Sequence, residues 1–314
     1  MINSVLSSTL PITYGVPQGS ILGPLLFTLY INDLDKCVKK CSLKLYADDT
    51  VLYFSDKSPK VIESVLNNDL NNLYTWMCSN RLSVNESKTV CMLIGNRQML
   101  SKCNELKLTL CKSTLEQVHF TKYLGLIVDN QLKWDVHIEN MIKKIGRVVS
   151  YLGRLRKFLS ESILKLIYNT TILPLFDYAD LIYDSAPLKY TSSLQKLQNR
   201  AGRIILKLNY QCNISSIQIH DSLQWNTLKD RRSKHTKVMM FKILHDFTPM
   251  YLKRPFLNQY VTKSTRYHLN LRLPKLNSEA LKRSFCYRGI NEHNTLPNEI
   301  KLLPSVLSFK NKVI

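Results

Sequence analysis

Residues 42–54, S-L-K-L-Y-A-D-D-T-V-L-Y-F, constrain this chain more than any other stretch. Two β-favouring arms flank Ala47-Asp48-Asp49-Thr50. The first arm alternates, with Leu43 and Leu45 on one face and Lys44 and Tyr46 on the other. The second, residues 51–54, is continuously apolar, as a buried strand would be. Small and acidic residues between two such runs predict a hairpin tip. Two adjacent carboxylates in so apolar a setting repel each other, and a cation is the natural remedy. Oxygen ligands that leave room for water and phosphate suit Mg²⁺.

The charge of the chain points the same way. Lys plus Arg total 44 against 23 acids, a net charge of +21. Residues 1–134 hold 14 basic and 11 acidic residues, and residues 135–314 hold 30 and 12. The first part reads as a core with a site and the second as a polyanion-binding surface. The eight cysteines are scattered, with no C-x-x-C pair, and read as reduced thiols of an intracellular protein, nuclear or cytoplasmic. No signal peptide is visible. The longest apolar run, residues 21–31, is broken by Gly23-Pro24 and too short for a membrane span, so no membrane partner is expected.

Along the chain, residues 1–14 read as the tail of a hairpin. Gly15, Pro17 and Gly19 give a bent loop that a ligand can approach closely. Pro24 then opens a helix whose apolar face is Leu25, Leu26, Leu29, Tyr30 and Leu34. Ser58-Pro59 opens another, with Ile62, Leu66, Leu70, Leu73 and Met77 inward. Leu106, Leu108 and Leu110 alternate as a strand, and residues 122–128 read as a further strand turned at Asp129-Asn130. From Asp135, read as a cap, the texture is helical. Ser160 caps a second helix that Pro174 stops. Residues 190–208 form a third, with Lys196, Arg200, Arg203 and Lys207 opposite its apolar stripe and no acid among them, a face suited to the phosphate backbone of a nucleic acid. Residues 228–247 form one more helix.

Several of these stretches resemble the motifs of reverse transcriptases. Residues 15–20, G-V-P-Q-G-S, with the helix that follows are similar to their B motif. Tyr46-Ala47-Asp48-Asp49 resembles the catalytic C motif, residues 85–89 the D motif, and Tyr123-Leu124-Gly125-Leu126 with Trp134 the primer-grip E motif. Order and spacing are those of the non-LTR, LINE-like retrotransposon branch. The resemblance implies an α+β fold: a partial polymerase palm over 1–134, a helical thumb-like domain over 135–210, and a basic extension over 211–314. It implies an RNA-directed DNA polymerase that acts on an RNA template, a DNA primer and deoxynucleoside triphosphates with two Mg²⁺ ions. Asp48 and Asp49 would hold metal, and Lys88 would serve as general acid to the pyrophosphate. Gln18, Gly19 and Tyr46 would line the template and nucleotide. Tyr123, Leu124 and Gly125 would position the primer.

One part of that pattern is missing. The family bridges its two metals with a further Asp upstream of the B motif, and only 14 residues precede Gly15. The chain therefore reads as the carboxyl-terminal part of a longer reading frame, inactive by itself. The alternative is a non-catalytic nucleic-acid-binding remnant.

Overall fold

The computed structural model describes residues 15–17, 19–103, 105–111, 113–209, 212–259, 269–276 and 278–313. The hairpin tail expected over 1–14, and Gln18, lie outside the described residues. The fold is α+β, with many helices and small two-stranded ladders. It divides into two compact units, one up to Thr121 and one from Lys122.

In the first unit, Gly15 and Gly19 take φ of 75° and 85° on either side of Pro17, so the expected bent loop forms where only glycine is unstrained. Pro24 sits in the first turn of α1 (Gly23–Tyr30). The face expected to be buried is not. Leu25, Leu26 and Leu29 are 57, 48 and 63% exposed, and only Leu34, in the 3-10 turn Leu34–Cys37, is fully buried. The helix is apolar nearly all round, and no described element covers it. A hydrophobic stripe identifies what a helix can bury, but burial needs a partner.

β1 (Ser42–Tyr46) and β2 (Asp49–Tyr53) form an antiparallel hairpin with Leu43 opposite Leu52 and Tyr46 opposite Asp49. Leu52 and Phe54 pack on a core built from Ile62 and Leu70 of α2 (Pro59–Ser79) with Leu106, Leu108, Leu110 and Leu115. β2 is thus half-buried rather than buried on both faces, because Tyr53 points outward. β3 (Val90–Cys91), α3 (Arg97–Lys102), β4 (Thr109–Leu110), β5 (Ser113–Thr114) and β6 (Glu116–Gln117) complete the unit. The alternation of Leu106, Leu108 and Leu110 is buried as expected, yet only Thr109–Leu110 is in a ladder. Side chains of α2 replace the missing strand. Asn67 receives the Thr109 N–H and donates to the Lys107 carbonyl, both at 2.9 Å, and Glu63 receives the Lys107 N–H at 3.0 Å.

Residues 122–128 are not one strand. β7 (Phe120–Tyr123) and β8 (Leu126–Asp129) form a hairpin that turns at Leu124-Gly125, with φ of 45° and 82°. Positive φ at both central residues is the type I′ pattern that matches strand twist. Asp129 then gathers the N–H groups of Gln131, Lys133 and Trp134 at 2.7–3.0 Å and closes the loop into α4 (Asp135–Leu155). The cap of α4 is Trp134, at φ 66°, rather than Asp135, whose side chain caps nothing. Burial raises the Asp135 carboxyl, and Asp129 adds to that.

Ser160 caps α5 (Glu161–Ile167), as expected. Pro174 does not stop the helix. A π turn, Tyr168–Ile172, widens the backbone just before it, and Pro174 falls in the first turn of α6 (Leu173–Asp177). There its missing N–H costs nothing. α7 (Asp180–Tyr183) and α8 (Leu188–Ile205) follow. Ile138, Ile145, Val149 and Leu152 of α4 meet Leu164, Tyr168, Leu194, Ala201 and Ile205 in the main core. α9 (Ser216–Leu223) opens with a full capping box at Ser215 and Gln218.

α10 (Leu228–Leu244), α11 (Met250–Lys253), α12 (Glu279–Arg283), α13 (Phe285–Asn294), α14 (Asn298–Lys301) and α15 (Val306–Val313) finish the second unit. Their residues form two smaller cores around Met240 with Ile290 and Phe241 with Phe309. Residues 269–271 are clamped to α13 and α14. His293 donates from Nε2 to the Leu269 carbonyl at 3.2 Å, Asn294 bonds both backbone groups of Leu271, and Lys301 bonds the Asn270 side chain. His293 Nδ1 is buried without a partner. Among the described residues no helix is long and apolar enough to cross a membrane.

Candidate catalytic hairpin and basic helix face

The β1–β2 connection has two central residues, Ala47 and Asp48, between the facing pair Tyr46 and Asp49. Ala47 takes φ of 51°. Positive φ at the first central residue is what the primed turns need, because their twist matches the strands. A side chain there costs about 1–2 kcal/mol that glycine would not. The strain therefore sits beside the two acids, a common location for it.

Residues facing each other across an antiparallel pair share a face. Leu43, Leu45, Thr50 and Leu52 form one side, and Leu52 carries that side into the core. Ser42, Lys44, Tyr46, Asp49, Val51 and Tyr53 form the other, which is open apart from half-buried Val51. Asp48 at the turn and Asp49 at the strand start are both exposed, as is Tyr46. Two adjacent carboxylates offer part of an oxygen shell, leaving positions for water and phosphate, as Mg²⁺ prefers. Among the described residues no third carboxylate, His or Cys joins them within ligand reach. The pair fits one partly held ion, and the described residues do not supply a second.

Sequence reasoning missed the group that anchors this hairpin. Asp69, on α2 and 2% exposed, accepts the backbone N–H groups of Lys39, Lys40 and Cys41 at 3.1, 2.8 and 2.8 Å. These residues lead directly into β1. Burial would raise the carboxyl, but the three donors more than reverse that and hold it at about 2. The signal was present: an acid inside the apolar stripe of a helix, one position before Leu70.

The other expected site residues are distributed as follows. Gly19 has open space where a Cβ would stand. Lys88 is exposed at the end of the 3-10 turn Glu86–Lys88, which Asn85 caps. Tyr123, Leu124 and Gly125 form the tip of the β7–β8 hairpin. Tyr178 donates to the Leu124 carbonyl at 2.6 Å, and its ring would lie 3.3 Å from any Cβ at position 125. Gly125 is therefore required twice, by φ and by close approach.

The basic stripe gains a second helix and loses two of its expected residues. Glu139 with Tyr190, Gly146 with Leu197 and Gly153 with Ile204 are neighbours, each pair 51 residues apart and each seven beyond the last. α4 and α8 therefore run parallel in a seven-residue register. By helical geometry, Lys143, Arg147 and Arg154 of α4 and Lys196 and Arg200 of α8 lie on the same side of this seam, opposite the core. The helix expected to reach residue 208 ends at Ile205, and Lys207 follows it at φ 52°, outside that geometry. These five and Lys207 are exposed. Arg203 is engaged elsewhere. Its guanidinium donates to the carbonyls of Ile214 at 2.8 Å and Cys212 at 3.4 Å and ties down that loop.

Three potential metal ligands do converge in the second unit: Asp177, Asp180 and His235. Their surroundings are already neutralised. Arg231 grips Asp177 through two nitrogens at 2.5 and 2.6 Å, Arg232 and Arg288 share Asp184, and His235 bonds Asp180 at 2.6 Å. The cluster is an ion-pair lattice joining α10 and α13 to α6 and α7.

Residues 1–128 match the family described as reverse transcriptase (RNA-dependent DNA polymerase). That match takes in residues 15–20, 46–49, 85–89 and 123–126. The chain is 28% identical over 235 residues to a probable RNA-directed DNA polymerase from transposon BS of Drosophila melanogaster, an overlap of 71% of this chain and 25% of that protein. It is 28% identical over 210 residues to the RNA-directed DNA polymerase from mobile element jockey of the same organism, covering 63% and 22%. A Pol polyprotein from type-1 retrotransposable element R1 2 of Nasonia vitripennis is 27% identical over 172 residues, covering 52% and 42%. These relatives are of the non-LTR retrotransposon kind to which the motifs point. The chain spans about a quarter of the length of the transposon BS and jockey proteins.

Proposed function

We propose that this chain works as part of an RNA-directed DNA polymerase of a non-LTR retrotransposon, contributing the palm segment with motifs B to E (1–134), a thumb-like domain (135–210) and a basic extension (211–314). The exposed Asp48-Asp49 pair on a strained hairpin, locked at its base by Asp69, carries this reading. Asp48 and Asp49 hold a divalent ion, Mg²⁺ by donor type, and that ion supplies charge neutralisation at the reacting phosphate. Tyr46, Gln18 and Gly19 line the template and the incoming nucleotide, Lys88 delivers a proton to the pyrophosphate, and the tip at Tyr123, Leu124 and Gly125 positions the primer. Two carboxylates without a third underhold the metals, so the 314-residue chain alone has no polymerase activity. Primer extension on an RNA template with Mg²⁺ tests this. No synthesis is expected from the chain alone. Template-directed synthesis that Asp48→Ala abolishes would overturn the inactivity, and synthesis that Asp48→Ala leaves intact would overturn the assignment of the hairpin.

A second reading, that nucleic-acid binding is the property of the isolated chain, is favoured by the parallel α4–α8 pair. Five exposed cations on one side predict a steep salt dependence, with a log–log slope of about −4.5 if each meets one phosphate of a duplex. Removing Lys196 and Arg200 together should flatten that slope by about 2, whereas Arg203→Ala should leave it unchanged. A slope near zero in the wild type would refute the assignment.

A further inference from the structure

A cavity of about 250 Å³ in the second unit lies between the π turn, the end of α9 and the start of α10. It touches neither the hairpin nor the cationic side of α8, which it meets through the core-facing Gln198. We infer that it binds a phosphate group, with Tyr168, Lys165 and Arg231 as the principal donors.

The argument rests on an excess of donors. Tyr168 is 1% exposed. Its oxygen accepts from Gln198 Nε2 at 3.3 Å, while its own O–H meets no acceptor among the described residues. A buried hydroxyl proton without a partner is unusual and marks a place for an acceptor to arrive. Burial pushes the phenol up to about 12, although the Gln198 bond and the Arg231 charge oppose this, so the group stays a donor at neutral pH.

Lys165 uses one ammonium proton on the Leu223 carbonyl at 3.0 Å and keeps two. Arg231 binds Asp177 through Nε and Nη2 and keeps Nη1. Asn169, Gln224 and Asn226 also line the space, and no acidic residue does. Asn169 belongs to the π turn itself, a type of irregularity frequent at functional sites. Donors from three elements surrounding a compact volume match a tetrahedral oxyanion, whose oxygens accept in several directions. A planar carboxylate would satisfy fewer of them. The phosphate comes either free or as part of a nucleotide or a nucleic-acid backbone.

Calorimetric titration of the full chain with inorganic phosphate, a nucleoside 5′-monophosphate and a dinucleotide tests the site and separates these sources. Saturable binding of at least one is expected, with the tightest identifying the source. Tyr168→Phe, which keeps the ring stacked 4.1 Å from Trp225, and Lys165→Met should each weaken it about 10-fold. Retained Trp225 fluorescence reports that Tyr168→Phe is folded. Arg97→Ala with Lys102→Ala, both exposed on α3, should leave the affinity unchanged. Absence of saturable binding by all three probes, wild-type affinity in both pocket variants, or loss of binding in the α3 double variant would each overturn the inference. None of these outcomes bears on the polymerase reading, because neither the hairpin nor the cationic face takes part.

Discussion

Asp69→Asn should loosen the metal hairpin at its root while leaving the acids themselves untouched. The wild-type carboxyl falls from its ordinary 3.8 to about 2. At about 1.4 kcal/mol per pKa unit that shift is worth about 2.5 kcal/mol. The sign follows from the depressed value: the contribution is complete above about 4 and fades as pH drops from 3.8 toward 2. Asparagine offers one acceptor oxygen and no charge, so at least one of the N–H groups of Lys39, Lys40 and Cys41 is left buried and unpaired. A loss of roughly 2–3 kcal/mol corresponds to about 30- to 150-fold faster amide exchange in a locally opening segment. Hydrogen exchange read by mass spectrometry on peptides over 38–54 measures it, with peptides of α4 and α8 as the internal reference. Exchange rates in 38–54 that match the wild type would refute the anchoring role. Equal acceleration in the reference peptides would show global unfolding instead.

Ala47→Gly should slow exchange across the β1–β2 turn a few-fold, because relief of left-handed strain outweighs the added chain entropy by about 0.5 kcal/mol. His293 is held at about 4 by burial, so its region keeps full stability above pH 6.5 and loses about 3 kcal/mol as pH falls from 6.5 to 4; urea titrations at several pH values should show that slope, and His293→Leu should remove it. Gly202→Ala should cost about 1–3 kcal/mol by thermal or urea denaturation, since its Cβ would meet Ile219 Cγ2 at 2.6 Å. Gly289→Ala, equally close to Met240 Sδ, should cost less because a thioether chain can move aside.

Local chemistry made part of this molecule readable from residues alone. The hairpin at 42–54 announced itself through alternation and an acidic tip, and the long helices through three–four spacing. What escaped were arrangements set by distant partners. Asp69 serves loop amides 28 to 30 residues earlier in the chain, which no periodicity encodes. The Leu106–Leu110 segment looked like a strand and is buried like one, but side chains of α2 fill its hydrogen-bonding needs. Pro174 looked like a stop, because the π turn that absorbs it leaves no sequence mark. Arg203 shares its helical face with Lys196 and Arg200 and differs from them in having carbonyls of residues 212 and 214 within reach. The apolar side of α1 was plain in the sequence, while its exposure depends on what stands beside it.

The glycine-spaced contacts between α4 and α8 act as a ruler. One extra residue in the middle of either helix would swing everything beyond it by about 100° and turn half of the positive charges toward the flank. Seven extra residues would bring them nearly back into line. Length changes in these two helices are thus tolerated in steps rather than one residue at a time, unlike those in a surface loop.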